Sequence, residues 1–155
     1  MKTRYSLFSI SLIIILMVTG ATKLVSAGGT AHLLDLPDPL FALSNRSVMA
    51  LAAAVELALA LSILIRGWSM PTVLASLWFG SILLVYRLAL AIVAPSAPCP
   101  CLGTLTEQLH ISTRTASVML SAVLGYILIG SAVELARLYR RNAATFDLRE
   151  GTVRA

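Results

Sequence analysis

The stretch SLFSISLIIILMVTGATKLVSA, Ser6 to Ala27, decides how the chain is read. It is almost unbroken in apolar residues and follows the basic Lys2 and Arg4. About 20 such residues cross the hydrocarbon core of a bilayer as a helix, so a transmembrane span is expected here. A cleaved secretory signal is the alternative, with Lys2 and Arg4 as its basic region, Leu7 to Val18 as its apolar core and Val25-Ser26-Ala27 as a small-residue cleavage site. Two features favour a retained span: Thr19 to Ser26 runs past the usual length of a signal core, and Lys23 would stand just ahead of the cut. On either reading the chain emerges on the outer side.

The remainder of the chain has the same character. Over 155 residues, 58% are hydrophobic and 12% charged, and the mean hydropathy is +0.88. That is more apolar surface than a soluble domain of this size buries in one core, and a lipid solvent explains it. The net charge of +5 does not point to nucleic acid, because the basic residues flank hydrophobic runs instead of forming an aromatic-interleaved patch.

Gly28 to Arg46 holds Gly28-Gly29, Asp35, Pro37, Asp38 and Pro39, the composition of a turn-rich outer loop. Further spans are expected at about 47–65, 71–94 and 115–136. The second and third are joined by a connection around Arg66-Gly67-Trp68 too short for anything but antiparallel neighbours. Pro95 and Pro98 close the third. Lys2, Arg4, Arg66, Arg137, Arg140 and Arg141 fall on one side of this arrangement and Arg46 and Arg114 on the other, so the positive-inside rule puts both termini in the cytoplasm. The expected architecture is an all-α, integral membrane four-helix bundle over 1–141 in the plasma (inner) membrane, with a disordered cytoplasmic tail at 142–155. Trp68, Tyr5 and Tyr139 read as interfacial anchors, and Trp78, Tyr86 and Tyr126 as packing residues.

The sharpest chemical feature is Pro98-Cys99-Pro100-Cys101-Leu102-Gly103, which this topology puts in the second outer loop. Pro98 and Pro100 stiffen the segment, and Gly103 permits a sharp turn. Two cysteines spaced i and i+2 form a disulfide only if the turn brings their Cβ atoms to about 4 Å. So tight a ring is expected to be strained, which raises its reduction potential and suits it to exchange. Metal is the competing chemistry. Adjacent thiolates are soft ligands suited to copper(I), with His110 as a further ligand. A pair of inert, shielded thiols is the plain alternative.

A second constellation lies inside the spans, where a charge costs on the order of 3 kcal/mol and therefore faces protein or water. At 1.5 Å per residue, Lys23, Arg87 and Glu56 lie roughly 6, 10 and 14 Å inside the outer ends of their helices. Glu56 is expected to pair with Arg87 or Lys23 in a polar cluster beneath the cysteine loop, fixing the bundle or relaying protons. Lys23, nearest the interface, could instead snorkel outward. Glu134 is expected to pair with the arginines at 137, 140 and 141.

Thr19-Gly20-Ala21-Thr22-Lys23-Leu24 in the first span, Glu56 in the second, Tyr86-Arg87 late in the third and Cys99-Pro100-Cys101-Leu102-Gly103 before the fourth resemble the DoxX-like membrane proteins, and among them the methylamine utilisation protein MauE branch. The resemblance covers nearly the whole chain up to Arg141. It implies a four-helix membrane bundle whose outer cysteine pair does thiol-disulfide work, here Cys99 and Cys101, supporting maturation of, or electron supply to, a thioredoxin-fold or dehydrogenase partner. Pro100 and Leu102 stand where the MauE pattern commonly has Gly and Phe. The vitamin K epoxide reductase type of bundle relays electrons through further loop cysteines, and the two present here cannot build that relay. No cofactor is expected on the redox reading. A copper-binding or small-solute module, or a structural subunit of a membrane complex, are the alternatives.

Overall fold

The computed structural model describes residues 6–30, 34–93 and 113–153. They form four helices: α1 Leu7–Ala27, α2 Asn45–Arg66, α3 Met70–Val93 and α4 Thr113–Val153. Each contains a segment long and apolar enough to cross a membrane, the last of them Val118–Arg141.

Local chemistry sets the helix ends. Ser6 caps α1 by accepting from Ser9 N–H at 3.1 Å, and Ser44 caps α2 by accepting from Ser47 N–H at 3.3 Å. The Ser44 cap starts α2 ahead of the expected residue 47. At the other end of α2, Gly67 has φ 72°, a conformation disfavoured by a Cβ, and the chain turns directly into α3. The C-terminus of α1 is tied off by Arg46, whose guanidinium donates to the carbonyls of Ala27 and Gly29 at 2.5 and 3.0 Å. Arg46 also pairs with Asp35 at 3.1 Å.

α4 does not stop near 136 but continues to Val153, through the segment read from sequence as a disordered tail. Between Asn142 and Glu150 there is neither proline nor glycine to break it. Once a helix is nucleated, each further residue adds a hydrogen bond at little cost.

The core is built from stripes at helical spacing. Leu12 and Leu16 from α1, Leu59, Ala60 and Ile63 from α2, Phe79 from α3 and Ile127 from α4 form one buried cluster. α1 packs along α2, α3 packs along α4, and α2 meets α3 more sparsely. Gly130 on α4 leaves room for the Phe8 ring of α1, because a Cβ there would lie 2.0 Å from that ring. The outward faces are apolar as well, with Leu51, Leu64, Ile65, Val85, Ile92 and Ile129 all exposed. A surface of this kind is suited to hydrocarbon and not to water, and the protein is a multi-pass membrane protein in contact with the bilayer.

The aromatic residues sort differently from their sequence reading. Trp68 is half-buried in the α2–α3 turn and packs against Phe8, with ring centroids 5.5 Å apart. Trp78, read as packing, is 69% exposed and faces outward.

Candidate functional site

The bundle has two ends. At one, α2 turns tightly into α3; at the other, the first loop joins α1 to α2 and residues 94–112 join α3 to α4. The polar cluster lies toward this long-loop end.

Lys23 and Glu56 occupy positions in the buried stripes of their helices. On α1 the stripe runs Leu12, Leu16, Gly20, Lys23, and on α2 it runs Met49, Ala53, Glu56, Ala60, Ile63. Gly20, one turn before Lys23, lets α1 lie against α2, since a Cβ there would be 2.9 Å from Leu57 Cγ. The two charged side chains therefore meet between the helices, and Lys23 Nζ donates directly to Glu56 Oε1. Their side chains are only 11% and 4% exposed, so Lys23 is buried in a pair and does not snorkel.

Of the two partners expected for Glu56, the fold brings it onto Lys23. Arg87 joins the site in another way. Together with Glu56, Tyr86 and Thr19 it lines a cavity of about 60 Å³ to which all four helices contribute. Glu56 Oε2 is buried and has no hydrogen-bond partner among the described residues. The site thus has one carboxylate oxygen held by an ammonium and one oxygen with unused accepting capacity. An unsatisfied buried acceptor costs about 1–3 kcal/mol, and more when charged.

Asp38 completes the site from above. The sequence marks it as a turn residue, and its side chain does make the turn: Oδ1 accepts from Leu40 N–H and Phe41 N–H at 2.8 and 3.1 Å. Oδ2, however, accepts from the Tyr86 hydroxyl at 2.5 Å, and Phe41 stacks on the Tyr86 ring at 5.7 Å. Asp38 is 2% exposed, an unusual burial for a loop acid. An aspartate among prolines looks like any turn, and only an apolar neighbour such as Phe41 hinted that this loop packs inward.

Phe79, Leu83 and Tyr86 separate the inner cavity from a larger groove of about 300 Å³ between α2 and α3, which Lys23, Phe41 and Trp78 also line. At the tight-turn end, Glu134 accepts from Arg137 at 2.9 Å, as expected from the sequence, and from the Trp68 indole at 3.4 Å.

Cys99, Cys101, Pro98, Pro100, Gly103 and His110 lie outside the described residues. Among the described residues no group of three or more His, Cys, Asp or Glu side chains is placed to hold a metal.

No protein-family model matches the chain, and no curated protein or solved structure matches it either.

Proposed function

We propose that the chain is a membrane-embedded thiol-disulfide accessory protein of the DoxX-like, MauE-related kind, acting through Cys99 and Cys101 on a partner at the extracytoplasmic face. The observation that carries this reading is an arrangement of chain and charge. The segment bearing Cys99-Pro100-Cys101 joins α3 to α4 at the same end of the bundle as the Lys23–Glu56 pair and the Tyr86–Asp38 contact. Both cytoplasmic termini follow from the basic residues at the tight-turn end, Arg66 and Arg137 among them.

The exchange needs only two sulfurs. A partner thiolate attacks the Cys99–Cys101 disulfide, one S–S bond breaks as the mixed disulfide forms, and the partner's second thiol resolves it. Two electrons pass to Cys99 and Cys101, which take up two protons, and the partner leaves as a disulfide. The chain has no further cysteine to pass these electrons on, so reoxidation falls to a second partner. α1 is retained in this reading, since it supplies Leu12 and Leu16 to the core and the counter-ion of Glu56.

Alkylation of Cys99 and Cys101 in intact cells, with and without reductant, tests the reading when combined with metal analysis of the purified protein. The expected result is a mixed population that reductant shifts fully to free thiols. Thiols that are always free and hold copper would overturn the proposal in favour of soft-metal binding, and a permanently oxidised pair would reduce the role to structure.

A further inference from the structure

We propose that the tight-turn end of the bundle carries a binding site for the headgroup of an anionic phospholipid, formed by Arg66 at the end of α2 and by Arg137, Arg140 and Arg141 on α4. The inference goes beyond the thiol reading: it depends neither on the cysteines nor on which side of the membrane this end faces.

Three observations converge on it. The first is placement. The apolar segments of α2 and α4 end on Arg66 and Arg141. Just before those ends the helices present exposed hydrocarbon, Ile65 from α2 and Ile129 and Val133 from α4. Apolar surface that gives way to arginine within two or three turns matches a phospholipid, whose acyl chains lie against the one and whose phosphate meets the other. Tyr139, 69% exposed among the arginines of α4, is the kind of amphipathic ring that sits at headgroup level.

The second is convergence. Trp68, two residues after Arg66, donates its indole N–H to Glu134 Oε2 at 3.4 Å, and Arg137 donates to Oε1 of the same carboxylate at 2.9 Å. This link holds the end of α2 beside the last membrane turns of α4. Arg140 and Arg141 follow Arg137 by three and four residues, so the three share one side of α4 over roughly 6 Å of its length. All four arginines are exposed. Arg137 is oriented by Glu134 and still 64% exposed, and a guanidinium has five N–H donors, so a bond to a carboxylate leaves others for a phosphate.

The third is charge. Among the described residues Glu134 is the one carboxylate within the patch. Asp35, Asp38 and Glu56 belong to the opposite end of the bundle, and Asp147 and Glu150 stand roughly 9 and 14 Å further along α4 than Arg141. Four guanidinium groups against one carboxylate leave an excess of positive charge at the membrane surface, where anionic headgroups are drawn to it. An acidic protein segment would answer the charge but not the exposed hydrocarbon beside it.

The test uses the full chain carrying Trp78→Phe, which leaves Trp68 as its one tryptophan, in phosphatidylcholine bilayers. Phosphatidylglycerol or phosphatidylcholine brominated in the acyl chains is titrated in, and quenching of Trp68 fluorescence reports which lipid resides at the patch. We expect brominated phosphatidylglycerol to reach half-maximal quenching at a mole fraction about tenfold below that of brominated phosphatidylcholine, one arginine near a lipid surface supplying about fivefold. Arg140→Gln with Arg141→Gln should bring the two curves to within about twofold, whereas Arg140→Lys with Arg141→Lys should keep them apart. Equal quenching by the two lipids in the chain with all its arginines overturns the lipid site and leaves an acidic protein segment as the occupant. A preference undiminished by the two glutamine changes overturns its assignment to these arginines.

Discussion

Glu56 and Glu134 are both buried glutamates on apolar helices, at opposite ends of the same bundle, and they are satisfied in different ways. Glu134 uses both oxygens: Oε1 accepts from Arg137 one turn along its own helix, and Oε2 accepts from Trp68 across the tight turn. Its partner Arg137 is 64% exposed, so the pair sits where water or headgroups share the charge. Glu56 is bound through one oxygen to Lys23, from a different helix and in the protein interior, with a cavity on its other side. The contrast separates a fastening from a site. A pair formed within one helix needs no tertiary structure and gives up little when broken. A pair formed between helices in a low-dielectric interior is costly to break, and an oxygen left over beside a cavity is a place for a ligand.

The largest predicted effect breaks the contrast at its stronger pole. Glu56→Gln should leave Lys23 buried without a counter-ion and destabilise the bundle by about 3–5 kcal/mol, measured as unfolding in mixed micelles with increasing denaturing detergent. The double change Lys23→Met with Glu56→Leu should recover most of that loss, because both desolvated charges disappear together. If the double variant is as unstable as the single one, the pair is not the source of the cost.

Gly130→Ala comes next, and it examines packing without charge. The new Cβ would press on Phe8, which is already held by Trp68 and Tyr126 with ring centroids at 5.5 and 5.3 Å. Overpacking of this kind costs about 1–3 kcal/mol, and the same detergent titration reads it. A neutral result would mean that the α1–α4 crossing has slack.

Tyr86→Phe should cost about 0.5–2 kcal/mol, since it removes the side-chain donor to Asp38 Oδ2 while the two turn bonds to Oδ1 remain. Its signature is increased proteolytic sensitivity of the first loop with the helices intact. Glu134→Gln should do least, under about 1 kcal/mol, because the amide oxygen still accepts and the Arg137 left behind is 64% exposed and keeps its charge in solvent. A loss as large as that of Glu56→Gln would erase the distinction between the two glutamates.

Much of the bundle was legible in the residues because membrane physics is one-dimensional. Lipid requires each spanning segment to satisfy its own backbone, so Ser6 to Ala27 and the three later apolar runs declare themselves as helices without reference to one another. Glu134 with Arg137 was legible for the same reason, being an i,i+3 neighbour. That Lys23, Glu56 and Arg87 belong to one half of the bundle could be counted from the helix ends.

Pairing between helices could not be counted. Whether Glu56 meets Lys23 or Arg87 depends on how α1 and α2 rotate about their axes, and that is set by Gly20 seating against Leu57. The role of Asp38 was hidden because a turn-forming aspartate uses one oxygen locally, and only the folding of the loop over α3 shows that Tyr86 takes the other. The opening stretch, Ser6 to Ala27, thus determined by its own composition that the protein enters a bilayer. Which face of that helix is turned inward, and therefore that its one lysine is a buried partner and not a surface anchor, was decided only by the packing of four helices. Helix formation needs local bonds alone, whereas rotation about the helix axis is settled by side chains distant in sequence.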